Sequence, residues 1–442
     1  MPVPRRPLLI GAALAAARTL LVRDHGARAA DATPAAPARP EPDAFDDPPE
    51  DLPDAPGVLL RHEPLVGRAL PDGARAWRIL HTTRWPGGAV ITGVATLLVP
   101  DPLPAGPLPV IAWEHGTVGL RQRCLPSRFP APFAGVPALP QVVAEGWAVV
   151  ATDYAANGRD GIHPYLIGDG EALSTVDAVR AARALPGLGL GNRVVLWGHS
   201  QGGQAALWTA ALAPGTAPEL EVLGVAALAP ATDLARIFAL LGGSPAADVT
   251  GAFATTAYAA FYDDVREENP VRPDARETVR RIADLCPLDQ EDAEAIAALV
   301  ASLGDAPIVA DPAAGALGRR LRQNAPRLPI AVPVLIAQGV DDAVVPARVN
   351  DAFAAERCAE GQSLTYWRVP NVDHAGIVAP GSPVEAPLVG WTRDRFAGVP
   401  VPAGCRFATL AEPGRLTAPP AEATGVAPAS RAAHPSSIIA RL

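Results

Sequence analysis

The 442-residue chain is 49% hydrophobic and 19% charged, which excludes global disorder and is enough for one large domain with an insertion, or for two domains. Its net charge is −9, every basic residue is an arginine, and no basic block or aromatic-basic stripe occurs, which argues against nucleic acid as a partner. The absence of lysine, alongside abundant Ala, Pro, Gly and Arg, supports no functional conclusion.

The first elements read as targeting rather than fold. Arg5 and Arg6 precede an apolar run from Leu8 to Ala17, and Ala27-Arg28-Ala29-Ala30 supplies small residues for cleavage near Ala30. Residues 1–30 are therefore expected to be a bacterial secretory signal, and the adjacent arginines are also compatible with twin-arginine export. Arg18 leaves the apolar run too short and broken for a comfortable membrane span, so a retained anchor is the weaker alternative. Residues 31–57, rich in Pro, Ala and Asp, read as a flexible linker.

From 58 to 230 the pattern is that of a folded core. Alternating patches between Leu59 and Val99 predict antiparallel strands at a sheet edge. Short continuous apolar runs follow at Pro109–Trp113, Gly146–Thr152, Val194–Trp197 and Leu223–Leu228, then much later at Val332–Ala337. Alternating with helical stretches such as Ala172–Leu185, they predict a mostly parallel sheet covered on both faces, an α/β architecture.

The interval 231–328 is too long for a simple crossover and is expected to be an inserted helical cap, with helices over Ala252–Val265, Asp274–Leu285 and Glu291–Leu303. Its Phe253, Tyr258, Phe261 and Tyr262 have two readings, an apolar substrate lining or ordinary helix packing. The core resumes over 329–408, with a last strand at Ser363–Val369 and a helix at Pro387–Phe396, and residues 409–442 read as a flexible tail.

The chemistry is organised around Arg193–Leu207, RVVLWGHSQGGQAAL, where an apolar strand meets Gly198-His199-Ser200-Gln201-Gly202 and a helix begins at once. Strand, sharp turn and helix with serine at the apex is the nucleophile elbow of an α/β-hydrolase. In that chain order the acid and then the histidine follow the serine. Only His374 and His434 follow Ser200, and His434 lies in the tail, so His374 is the candidate general base. The acid belongs on the loop after the penultimate strand, where Asp342 is favoured and Asp341 is its local rival. Asp373 is too close to His374 in sequence, and Asp153 reads as loop support. Two backbone N–H donors are needed for an oxyanion hole. They are expected from Gln201, directly after the serine, and from Gly116 in His115-Gly116-Thr117, with Thr117 as the near alternative and His115 as a loop-stabilising hydrogen-bonder.

Cys124, Cys286, Cys358 and Cys405 match no zinc spacing, and they are compatible with two disulfides in any of three connectivities. No HExxH or clustered ligand pattern occurs, so a metal site is not expected.

Together, Glu114-His115-Gly116-Thr117, Gly198–Gly203, Gly339–Pro346 and Asp373-His374 make the chain resemble the secretory lipase family over residues 58–408. The resemblance implies an α/β-hydrolase with an inserted lid, extracellular and without cofactor, that acts on acylglycerols or simpler carboxylic esters. It implies a lipid or ester substrate and transient contact with lipid interfaces, and it leaves oligomeric state open. It also implies the pairing Cys124–Cys286, tying the loop after the oxyanion strand to the cap, and Cys358–Cys405, stapling the C-terminal region. The cap sequence does not match closely, which leaves acyl length and interfacial activation open. Two alternatives stand beside a lipase. One is another reaction of the same triad: short-chain ester hydrolysis, acyl transfer or peptide hydrolysis. The other, of a different class, is a non-catalytic extracellular binding module on a hydrolase scaffold.

Overall fold

The computed structural model describes residues 43–85, 88–155, 161–412 and 415–417. The expected signal (1–30), residues 31–42 of the expected linker and the tail from 418 onward lie outside the described residues.

Among the described residues, eleven strands form one sheet in the order β1-β2-β3-β5-β4-β6-β7-β8-β9-β10-β11. The first three, β1 (Leu59–Pro64), β2 (Ala74–Arg84) and β3 (Val90–Pro100), are antiparallel at one edge, as their alternating pattern predicts. The centre is parallel: β5 (Ala148–Thr152), β4 (Leu108–Glu114), β6 (Leu190–His199), β7 (Glu221–Leu228), β8 (Val334–Gly339) and β9 (Leu364–Val369). A continuous apolar strand sends successive side chains to opposite faces, so each run feeds two cores. Val110, Ala112, Val194, Leu196, Val225 and Ala227 pack on one face under helices α2 (Gly168–Arg183) and α3 (Gln201–Thr216). Ile111, Trp113, Val195, Trp197, Ala226 and Leu228 pack on the other, against α1 (Leu139–Ala144) and α10 (Glu385–Phe396). Helix α9 (Ala347–Ala359) joins the first face through Phe353 and Ala354.

Between β7 and β8 lies the cap, with helices α4 (Leu234–Leu241), α5 (Pro245–Phe261), α6 (Arg276–Ala283), α7 (Gln290–Leu303) and α8 (Gly315–Gln323). It has an apolar core of its own, which also takes in Tyr165, Leu166 and Ile167 from the loop before α2. The four cap aromatics pack. Phe253 and Tyr258 are fully buried, Phe261 meets Trp85 edge to face at 4.7 Å, and the Tyr262 hydroxyl accepts from Asn324 Nδ2.

Both expected cysteine pairs are present, Cys124–Cys286 and Cys358–Cys405. The first joins the segment after β4 to the end of α6, and the second joins α9 to β10 (Cys405–Glu412). Among the described residues, no helix is long and apolar enough to cross a membrane.

The structure corrects two boundaries. The linker expected over 31–57 is anchored from Asp43 onward. Buried Asp46 pairs with the guanidinium groups of Arg78 and Arg128, and Arg61 donates to the carbonyls of Ala44, Phe45 and Asp47. Low local hydrophobicity hid this, because what fixes the segment is an acid answering buried arginines far along the chain. The tail expected from 409 likewise carries sheet structure over 409–412 and 415–417. Strand β10 runs parallel to β9 from Cys405↔Leu364 to Thr409↔Arg368, and β11 (Arg415–Thr417) folds back on it. Sheet hydrogen bonds and buried Leu410 hold a segment whose composition alone reads as loop.

Candidate active site

Ser200 stands between the last residue of β6 and the first of α3, with φ 56° and ψ −115°. A side chain other than glycine is strained there, and the surroundings must hold it. The Ser200 N–H donates to the Leu228 carbonyl at 2.9 Å, and its own carbonyl accepts from Ala231 at 3.1 Å and Gln204 at 3.1 Å. Glycine on either side is a requirement of contact. A Cβ on Gly198 would lie 1.9 Å from the Gly202 oxygen, and one on Gly202 would lie 1.8 Å from the Glu114 oxygen. Helix α3 thus starts directly against the ends of β4 and β6.

The loops after β8 and β9 bring the other two groups to Ser200. Val340 N–H donates to the Val369 carbonyl at 2.9 Å and Asp341 N–H to the Val372 carbonyl at 3.1 Å, so the two loops are laced together. Gly339 permits it, since a Cβ there would meet the Val372 oxygen at 2.4 Å. As a result His374 Nδ1 lies 2.7 Å from Asp342 Oδ2, and His374 Nε2 lies 2.8 Å from Ser200 Oγ. A neutral imidazole carries one proton, so an Nδ1–H that donates to the carboxylate leaves Nε2 free to accept from the serine hydroxyl.

Asp342 is buried, which works to raise its pKa, but the facing His374 and the bonds it accepts carry it below the ordinary carboxylate value. Its Oδ1 accepts from the Val344 and Val345 amides at 2.8 and 2.7 Å, and its Oδ2 from Gln338 Nε2 at 3.0 Å. It therefore stays ionised and fixed in direction. Asp341, the rival, is exposed and lines a shallow surface depression with Asn371 and Asp373. Asp373 closes its own turn by accepting from Gly376 N–H at 2.7 Å. Asp153 is buried against the Ser127 amide, and burial pushes it up to about 7.

Gln201 is the first residue of α3, and a first-turn N–H has no acceptor within the helix. Gly116 sits across from it, close enough that a Cβ there would lie 3.5 Å from Ser200 Cβ. His115 is buried, which lowers it to about 4, so the neutral ring donates through Nδ1 to the Gly116 carbonyl at 2.7 Å. Ser200, Asp342, His374, Gln201 and Gly116 therefore come together. The pairing of the elbow with both loops is tertiary; nothing local to any one motif contains it.

Several supports at the site carry no local signal. His199 is half-buried, and its ring is lowered to about 3 by desolvation and then by neighbouring His374. Neutral at its Nδ1, it donates from Nε2 to the His374 carbonyl at 2.9 Å. Gln338 is itself held by Asn350, whose Nδ2 donates to Gln338 Oε1 at 2.6 Å. A glutamine directly after the apolar Val334–Ala337 run is the one visible hint.

A family model described as secretory lipase matches residues 136–404. Among curated proteins, a probable inactive lipase of Mycobacterium tuberculosis is 28% identical over 395 residues, covering 83% of this chain and 84% of that protein. Lipase A of Arthroderma benhamiae is 27% identical over 415 residues, covering 86% of each. Among solved structures, Candida antarctica lipase A superimposes with a TM-score of 0.65 at 20% identity, covering 83% of this chain and 88% of that one.

Proposed function

The chain belongs to the secretory lipase family and has an α/β-hydrolase fold, and from that premise we propose that it is an extracellular serine hydrolase of carboxylic esters working through Ser200, His374 and Asp342. The observation that carries the proposal is the unbroken relay at the elbow, 2.7 Å from Asp342 to His374 and 2.8 Å from His374 to Ser200.

In this reading His374 Nε2 takes the Ser200 proton as Oγ attacks the ester carbonyl. The developing oxyanion accepts from the N–H groups of Gln201 and Gly116. Protonated His374, steadied by ionised Asp342, then delivers its proton to the leaving alcohol. Water repeats the sequence on the acyl-enzyme and restores the serine. The non-catalytic alternative has one point in its favour, since a relative is named a probable inactive lipase. Against it stands the fact that all three groups are here connected by hydrogen bonds at a strained serine.

A fluorophosphonate probe tests the proposal. The wild type should be labelled at Ser200 and hydrolyse p-nitrophenyl esters. Ser200→Ala should lose labelling, and its hydrolysis should fall by at least about 10⁴-fold with its fold intact. Ester hydrolysis retained in Ser200→Ala would refute the reading. A chain-length series, run with and without added alcohol acceptors, then separates an acylglycerol lipase from a short-chain esterase or an acyltransferase.

A further inference from the structure

We propose that Tyr165 and Glu171 are positioning residues for the oxyanion hole, and that through them cap helix α5 holds both amide donors in place. The inference deepens the function proposed above and rests on it.

Two routes run from α5 to the two sides of Ser200, one through a ring contact and a hydrogen bond and the other through hydrogen bonds alone. Along the first, the Tyr165 hydroxyl shares a 2.8 Å bond with Thr117 Oγ1, directly after Gly116. The Tyr165 ring is clamped edge to face against Phe253 of α5 at 5.8 Å. Along the second, the Tyr258 hydroxyl donates to the Leu166 carbonyl at 2.9 Å. Leu166 N–H donates to Glu171 Oε1 at 2.9 Å, and that same oxygen accepts from Gln201 Nε2 at 2.7 Å. The first route ends on the loop that carries the Gly116 donor, and the second on the residue that carries the other donor.

The junction between the routes is a pair of consecutive residues, and the chain pays for its shape: Leu166 has φ 56°, a left-handed backbone that a branched side chain rarely adopts. Such strain persists only where the surroundings over-determine it. Here the amide, the carbonyl and the preceding side chain are each bonded to a different element. All of this happens away from water. Tyr165, Leu166, Glu171 and Gln201 are each no more than 1% exposed. Burial pushes Glu171 up to about 8, against the bonds from Gln201 and Leu166. In that surrounding no solvent competes for the bonds that fix the Gln201 side chain.

The chemical consequence follows from how an oxyanion hole works. Its donors stabilise the transition state only if they already point to where the charge will develop, so a small misplacement costs rate while leaving substrate binding untouched. The Thr117 and Gln201 side chains are bonded to Tyr165 and Glu171. Those side chains are the handles by which the two donor segments are held.

The test uses the full-length protein with p-nitrophenyl butyrate and a fluorophosphonate, together with thermal unfolding. Tyr165→Phe and Thr117→Val should each lower kcat and the phosphonylation rate by about five- to tenfold, the value of one positioned hydrogen bond, with KM nearly constant. Since both remove the same bond, the double variant should be no slower than either single one. On the second route, Glu171→Ala should lower kcat similarly, and Glu171→Gln, which keeps an acceptor, should recover most of it. Parental kcat in Tyr165→Phe, a loss confined to KM, or losses that multiply in the double variant would each overturn the inference. A wild type that labels at Ser200 while these variants label at the parental rate overturns the positioning role alone. A wild type inert to the probe overturns the catalytic reading and this inference together.

Discussion

Adding one methyl group at Gly202 should damage both catalysis and stability. In Gly202→Ala the new Cβ would lie 1.8 Å from the Glu114 carbonyl oxygen and 2.6 Å from that of His115. Real Cβ atoms essentially never approach closer than 3.0 Å, and both obstacles are backbone. The first turn of α3 and the end of β4 must therefore separate by about 1.2 Å, to reach that minimum. Overpacking of this kind costs about 1–3 kcal/mol of stability. The same separation pulls Gln201 away from Gly116, the two residues proposed to donate to one oxyanion. A misplacement of about 1 Å in such a site lowers kcat by on the order of 10²-fold. Gly215 is the control on the same helix. Nothing lies within 4 Å of a Cβ added there, so Gly215→Ala should keep full activity and gain up to about 1 kcal/mol from helix propensity. Steady-state kinetics and urea unfolding on both variants decide the matter. A Gly202→Ala variant with parental kcat and parental stability would refute the close contact of helix and strand on which the reasoning depends.

Two further perturbations separate neighbouring possibilities. Asp342→Asn should lower kcat by on the order of 10³- to 10⁴-fold through the wrong His374 tautomer, whereas Asp341→Asn should leave it unchanged, because only the Asp341 backbone is engaged, through its bond to Val372; equal losses in the two variants would remove the assignment of the acid. Replacing Cys124 and Cys286 together by serine opens a loop with a sequence separation of 162 and should cost about 2–5 kcal/mol in urea unfolding, while an unchanged midpoint would show that the cap is held to the core without that bridge.

Much of the scaffold could be read locally. Apolar runs such as Val194–Trp197 and Val334–Ala337 each carry their own periodicity, and a strand buried on both faces writes itself as a continuous stretch. The elbow was equally legible, because its glycines are required by contacts within a few residues of Ser200 and with the adjoining strand. His374 and Asp342 were accessible through chain order, and the cap through its length. What escaped were features whose cause lies far along the chain. Asp46 looked like part of an acidic linker because its partners are Arg78 and Arg128. Strand β10 looked like tail because its reason to be straight is the edge of β9.

The cap aromatics show the same division. Their spacing on α5 allowed either a substrate lining or a packed helix, and no count of residues could choose. The tertiary structure did so by placing Phe253 against Tyr165 and the Tyr258 hydroxyl on the Leu166 carbonyl. The sequence by itself determined which residues were available for ester chemistry and in what order the sheet would present them, since periodicity, glycine placement and chain order are local or one-dimensional properties. Only the tertiary structure decided which aspartate faces His374 and what the Thr117 and Gln201 side chains are bonded to, because those are distances between segments, set by how two loops lace together and how a cap sits on a sheet.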